Sequence, residues 1–102
     1  MNKLYTVNKS PFERPALETC LRLAKPGGAV LLIEDGVYAA LKGTAKSALI
    51  DANQGDMKFY VLDSDLEARG LAEKPLIDGV ETVDYGGFVD LVCKYDSVHS
   101  WL

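Results

Sequence analysis

The sequence predicts an α/β fold: a small, open, mostly parallel sheet of four to five strands with helices on both faces. Three observations predict it. Strand-like and helix-like segments alternate along the chain, the order that right-handed crossovers produce in a parallel sheet. The run Ala29-Val30-Leu31-Leu32-Ile33 is apolar throughout, as in a strand covered on both faces. Hydrophobic residues make up 48% of the 102 residues, enough for one core. No repeat, low-complexity tract or linker divides the chain, so residues 1–102 read as a single domain.

Taken in order, Leu4 to Val7 is a short strand. Ser10-Pro11-Phe12-Glu13 follows, with Ser and Glu three apart as in a capping box and Pro at the first helical position. This predicts a helix from Pro11 to about Ala24, stopped by Pro26-Gly27-Gly28. The apolar strand Ala29 to Ile33 leads through Glu34-Asp35-Gly36 to a helix over Val37 to Leu41. Gly43 interrupts before a second short helix over Ala45 to Ala52. After the turn Asn53-Gln54-Gly55-Asp56, Met57 to Leu62 is rich in strand formers. Ser64-Asp65-Leu66-Glu67 repeats the capping-box spacing, and Gly70 ends that helix. Pro75 to Gly79 is irregular, Val80 to Val83 a weak strand, and Tyr85 to Tyr95 a last helix. A tail ending in Trp101 follows.

Composition removes several function classes. Eleven basic residues face fifteen acidic ones for a net charge of -4. No Lys/Arg stripe is present, so direct nucleic-acid binding and attraction to an anionic membrane are disfavoured. The opening Met1-Asn2-Lys3-Leu4-Tyr5 has no signal-peptide run, and the longest apolar run is too short for a bilayer. A cytoplasmic location is expected. Cys20 and Cys93 form no C-x-x-C pair and are expected as free thiols.

In open parallel sheets ligands sit beyond the carboxyl ends of the strands. That rule directs attention to Asn8-Lys9-Ser10, Glu34-Asp35-Gly36, Asp63-Ser64-Asp65 and Asp84-Tyr85. The carboxylates Glu34, Asp35, Asp63, Asp65 and Asp84 converging on one edge would hold Mg²⁺, as in a receiver-like phosphoryl-transfer domain. Against this, each precedes a helix and suits capping, and Asn8-Lys9 stands where a receiver needs acids. His99 is the one histidine and has no metal-ligand constellation around it. No metal and no cofactor is expected, and no Gly-rich phosphate loop follows a strand. Helical spacing puts Cys20 in one stripe with Ala16, Leu17, Leu23 and Ala24. There it is either a small core residue or a nucleophilic thiol. The latter needs a thiolate-stabilising partner, and the sequence supplies none. Cys93 falls at the edge of the Phe88-Val89-Val92 stripe, where ordinary packing is the first expectation and partial exposure or an interface the alternative. Tyr95 and Trp101 fit core or interface equally.

Four blocks of sequence carry a resemblance. They are residues 6–14 (TVNKSPFER), residues 31–40 (LLIEDGVYAA), Tyr60-Val61-Leu62 with residues 65–70 (DLEARG), and residues 84–91 (DYGGFVDL) with the terminal Trp101-Leu102. In this order they resemble the DsrH/TusB family of the DsrE-like superfamily. The resemblance implies a DsrE/DsrF/DsrH-like fold and a subunit of a cytoplasmic sulfur-relay complex. It implies a heterohexamer with two copies each of three related chains, this one beside DsrE/TusD-like and DsrF/TusC-like subunits. A DsrC/TusE-like carrier protein is the implied sulfur acceptor. The pathway is oxidative sulfur metabolism in one branch and 2-thiolation of the tRNA wobble uridine in the other. A cysteine at the position of Cys20 is similar to the DsrH branch and makes Cys20 a candidate persulfide carrier, while the best-supported persulfide cysteine of the family belongs to a partner. The bland alternative is a purely structural subunit. Many members have His where this chain has Tyr5, so no proton-transfer role carries over to that position.

Overall fold

The computed structural model describes residues 3–24 and 26–101; Met1, Asn2 and Leu102, used above, lie outside the described residues. Five strands form one sheet: β1 (Lys3–Val7), β2 (Ala29–Leu32), β3 (Lys58–Leu62), β4 (Glu81–Val83) and β5 (Ser97–Trp101). The order is β4-β3-β2-β1-β5 and every pair is parallel. The helices are α1 (Ala16–Leu23), a 3₁₀ helix (Glu34–Ala40), α2 (Ser47–Asn53), α3 (Asp63–Ala68) and α4 (Tyr85–Lys94).

Alternation along the strands sorts side chains onto two faces. Tyr5, Val7, Val30, Leu32, Phe59 and Val61 pack with α1, the 3₁₀ helix, α2 and α3 in the larger core. Leu4, Ala29, Leu31 and Tyr60 face the other way and pack with Leu91 of α4. The first three crossovers step β1→β2→β3→β4 in one direction across the sheet. The last carries the chain back from β4 to β5, on the far side of β1. Right-handed connection therefore places α4 on the opposite face from the others. All four residues of β2 are buried, which is why it reads as unbroken apolar sequence.

Two expected elements differ. The first helix begins at Ala16, with Pro15 at its N-cap, not at Pro11. Pro15 has no N–H to donate, its ring would clash with the carbonyl four residues back, and it disfavours helical geometry at Arg14. Ser10-Pro11-Phe12-Glu13 is instead a turn: the Ser10 carbonyl accepts from the N–H groups of Glu13 (3.1 Å) and Arg14 (3.0 Å), and Ser10 Oγ accepts from Phe12 N–H at 3.2 Å. The expected tail is the fifth strand. Ser97 to Trp101 runs parallel to β1 in the register Tyr5↔His99, and Thr6 Oγ1 bonds Ser100 Oγ at 3.2 Å.

Smaller shifts have local causes. The helix expected over Val37 to Leu41 is 3₁₀ and starts at Glu34. Gly36 packs so tightly on β1 that an added Cβ would fall on the Val7 carbonyl oxygen. The helix expected over Ala45 to Ala52 is Ser47–Asn53. Ser64 lies inside α3 rather than capping it, and α3 has no side-chain cap bond.

Candidate functional site

The carboxyl edge of the sheet brings together the segments after β1, β2 and β3. Glu34 stands directly beyond β2 with φ 49°, a left-handed backbone uncommon for a residue with a Cβ. Bonds from both sides hold it there. Its N–H donates to Asp65 Oδ2 at 2.7 Å, and its carboxylate accepts from Asn8 Nδ2 at 3.1 Å. Arg69, at the end of α3, donates from Nε to Asp35 Oδ1 at 2.9 Å and from Nη1 to the Asp65 carbonyl at 3.2 Å. Its Nη1 also lies 3.9 Å from Asp65 Oδ1.

Three of the five singled-out carboxylates, Glu34, Asp35 and Asp65, thus meet in one network. Asp84 stands apart and caps α4, accepting from Gly87 N–H at 2.7 Å. Asp63 opens α3 without a side-chain bond to the others. Within the network each carboxylate is already engaged by an N–H group, and the Arg69 guanidinium lies against both Asp35 and Asp65. Among the described residues no group of three His, Cys, Asp or Glu is placed to hold a metal ion. The arrangement therefore braces three loops against one another. No local motif marks Arg69 and Asn8 as partners of these carboxylates, apart from the i,i+4 spacing of Asp65 and Arg69.

Cys20 lies in α1 among the larger core cluster, with 0% of its surface exposed. Burial pushes its thiol up to about 12, because an apolar surrounding disfavours the charged thiolate. Ala16 and Leu17 of its stripe are buried with it, whereas Leu23 is 61% exposed. Cys93 on α4 is exposed, and the same helix also exposes the apolar side chains Tyr85, Val89 and Val92. His99 on β5 lies against Tyr5, ring centroids 5.7 Å apart, and shares a 3.3 Å hydrogen bond with Ser97. Tyr95 and Trp101 are both half-buried, packed at the rims of the two cores. Tyr60 and Tyr95 lie in the smaller core, and the phenols of both are raised above the usual tyrosine range. Burial is the main cause that raises both, with Glu81 adding to the rise at Tyr60.

These features define a class: a small doubly wound α/β domain with an all-parallel sheet and a carboxyl edge closed by its own side chains. The solved structures it resembles share that fold. The ychN protein from E. coli superposes with a TM-score of 0.83 over 98% of this chain and 99% of that one, at 22% identity. MTH1491 from Methanobacterium thermoautotrophicum, a protein of unknown function, gives 0.72 over 96% and 97% at 16% identity. A family described as DsrH like protein matches residues 9–98, and the chain belongs to it. Its relatives include Protein TusB of Photorhabdus laumondii, 36% identical over 99 residues that cover 96% of this chain and 99% of that protein. Protein TusB of Serratia proteamaculans is 39% identical over 100 residues with the same coverage. Cys20 pointed to the DsrH branch; these relatives carry the TusB name. No helix among the described residues is long and apolar enough to cross a membrane.

Proposed function

We propose that this chain is a subunit of a sulfur-relay complex, in which sister chains and a small carrier protein pass persulfide sulfur towards 2-thiolation of the wobble uridine in tRNA. The observation that carries the reading is membership of the DsrH-like family, with TusB relatives matched over nearly their full length. The sulfur-oxidation route expected for the DsrH branch is the second destination for the same chemistry.

The role of this subunit is to complete the complex and shape the docking of its partners, with sulfur held on a sister chain. Persulfide transfer needs a thiolate that reaches the outer sulfur of the donor. Cys20 is enclosed, and its thiol stays protonated at neutral pH; both facts support the structural role over the carrier role expected from its position. Carriage on Cys20 would require α1 to lift from the sheet.

Co-expression with TusD-like and TusC-like chains and a TusE-like carrier tests this. A stable complex is expected. After a persulfide donor is supplied, mass spectrometry finds the added sulfur on a partner cysteine and none on Cys20. A chain that stays monomeric beside those partners overturns the reading. An added sulfur on Cys20 overturns the structural role and restores the carrier role.

A further inference from the structure

The turn after β1 and the start of the 3₁₀ helix enclose a surface notch of about 330 Å³, lined by Ser10, Phe12, Glu13, Asp35 and Tyr38. Its walls combine two aromatic rings with two carboxylates. Phe12 is 51% exposed, which leaves its ring open to contact from outside the chain. The Glu13 carboxylate has no ion-pair or hydrogen-bond partner among the described residues. The neighbouring Arg14 donates instead to the Glu13 carbonyl, at 3.4 Å. Asp35 gives Oδ1 to Arg69.

The surroundings carry an excess of negative charge. The segments that follow β1 to β4, residues 8–14, 34–35, 63–69 and 84, hold seven carboxylates and three cations. That excess of four equals the net charge of -4 of the whole chain. The acidic excess of the protein therefore lies in the segments at this edge of the sheet, most of it in residues 34–35 and 63–69, while residues 8–14 beside the notch hold Glu13 with Lys9 and Arg14. Such a face attracts cationic partners and repels a second copy of itself.

We infer that this notch is a docking site for an arginine side chain presented by a partner protein. A guanidinium is flat and stacks on aromatic faces while its fork reaches carboxylates, which an ammonium does less well. The notch is too large for a single metal ion and lacks the oxygen cage one needs. The inference rests on the proposed function in one respect, that the partner is a protein.

Two measurements test it on the full chain. The first is a ¹H–¹⁵N NMR titration with N-acetyl-arginine amide, against N-acetyl-citrulline amide as the uncharged isostere. Saturable shifts are expected at the amides of Phe12, Glu13, Asp35 and Tyr38, with citrulline about tenfold weaker. Phe12→Ala and Glu13→Gln, both on the surface, should each weaken the arginine response about threefold without changing Tm. Shifts spread over all carboxylates without saturation, or an equal response to citrulline, overturn the inference. The second compares assembly of the Phe12→Ala/Glu13→Gln double variant and of the unaltered chain with the co-expressed partner chains. An affinity loss of about tenfold is expected; unchanged affinity overturns the partner assignment. Failure of the unaltered chain to assemble sinks the proposed function instead, and the NMR titration still reads the notch.

Discussion

A thiol reacts as its thiolate, and the two cysteines of this chain stand in opposite settings. Cys20 is closed from solvent and pushed up to about 12, while Cys93 is exposed on α4. At about pH 8 a disulfide reagent such as DTNB should titrate one thiol per native chain, mapped by mass spectrometry to Cys93, and both thiols in denaturant. Labelling of native Cys20 at the rate of Cys93 would show that α1 does not hold its place. Gly36 is the second residue whose setting dictates an outcome. A methyl group there meets the Val7 carbonyl, a backbone atom that also accepts the Ile33 N–H at 3.0 Å. Gly36→Ala should lower stability by about 2 kcal/mol or more, read as a shift in the urea midpoint. An unshifted midpoint would mean that the crossing of β1 and the 3₁₀ helix is looser than described.

Among the elements, α4 depends most on its cap. It crosses the second face of the sheet with Leu91 as its one buried side chain, so little packing compensates for a weakened first turn. Asp84→Ala removes the bond to Gly87 N–H and should cost about 1 kcal/mol, measurable by urea unfolding; Asp84→Asn should recover most of it. β2 is legible because burial on both faces writes itself as unbroken apolar sequence, and β1 and β3 because they are short segments rich in strand formers. β5 was not legible, because an edge strand reading Ser-Val-His-Ser-Trp has neither an apolar run nor clean alternation, and its identity comes from pairing with β1. α1 starts at Ala16 and not at Pro11 because the Ser10-to-Glu13 spacing is a local signal, and Pro15 overrules it. In the candidate site, the rule of strand ends found the three carboxylates. It could not show that Arg69 and Asn8 already engage them, since Arg69 reaches Asp35 across 34 residues of sequence.

At the scale of the whole molecule, the groups whose titration burial suppresses all push in one direction. Cys20 in the larger core and Tyr60 with Tyr95 in the smaller one each hold their proton to higher pH folded than unfolded. Below the unfolded thiol's value, near 9.0, both states carry the Cys20 proton and its full contribution is present. Above it, the unfolded chain releases that proton while the folded chain keeps it to about 12. Unfolding then releases a proton, and stability falls as pH rises, with a limiting slope of about 1.4 kcal/mol per pH unit for one group. The tyrosines add the same sign above about pH 10. Urea midpoints should therefore decline from pH 9 upwards. Cys20→Ala should be less stable at neutral pH for lack of the sulfur's packing, yet lose less between pH 9 and 10, before the phenols contribute. An identical decline in that variant would mean that the Cys20 thiol ionises as easily folded as unfolded. A closed core would then no longer be a reason to place the sulfur on a sister chain.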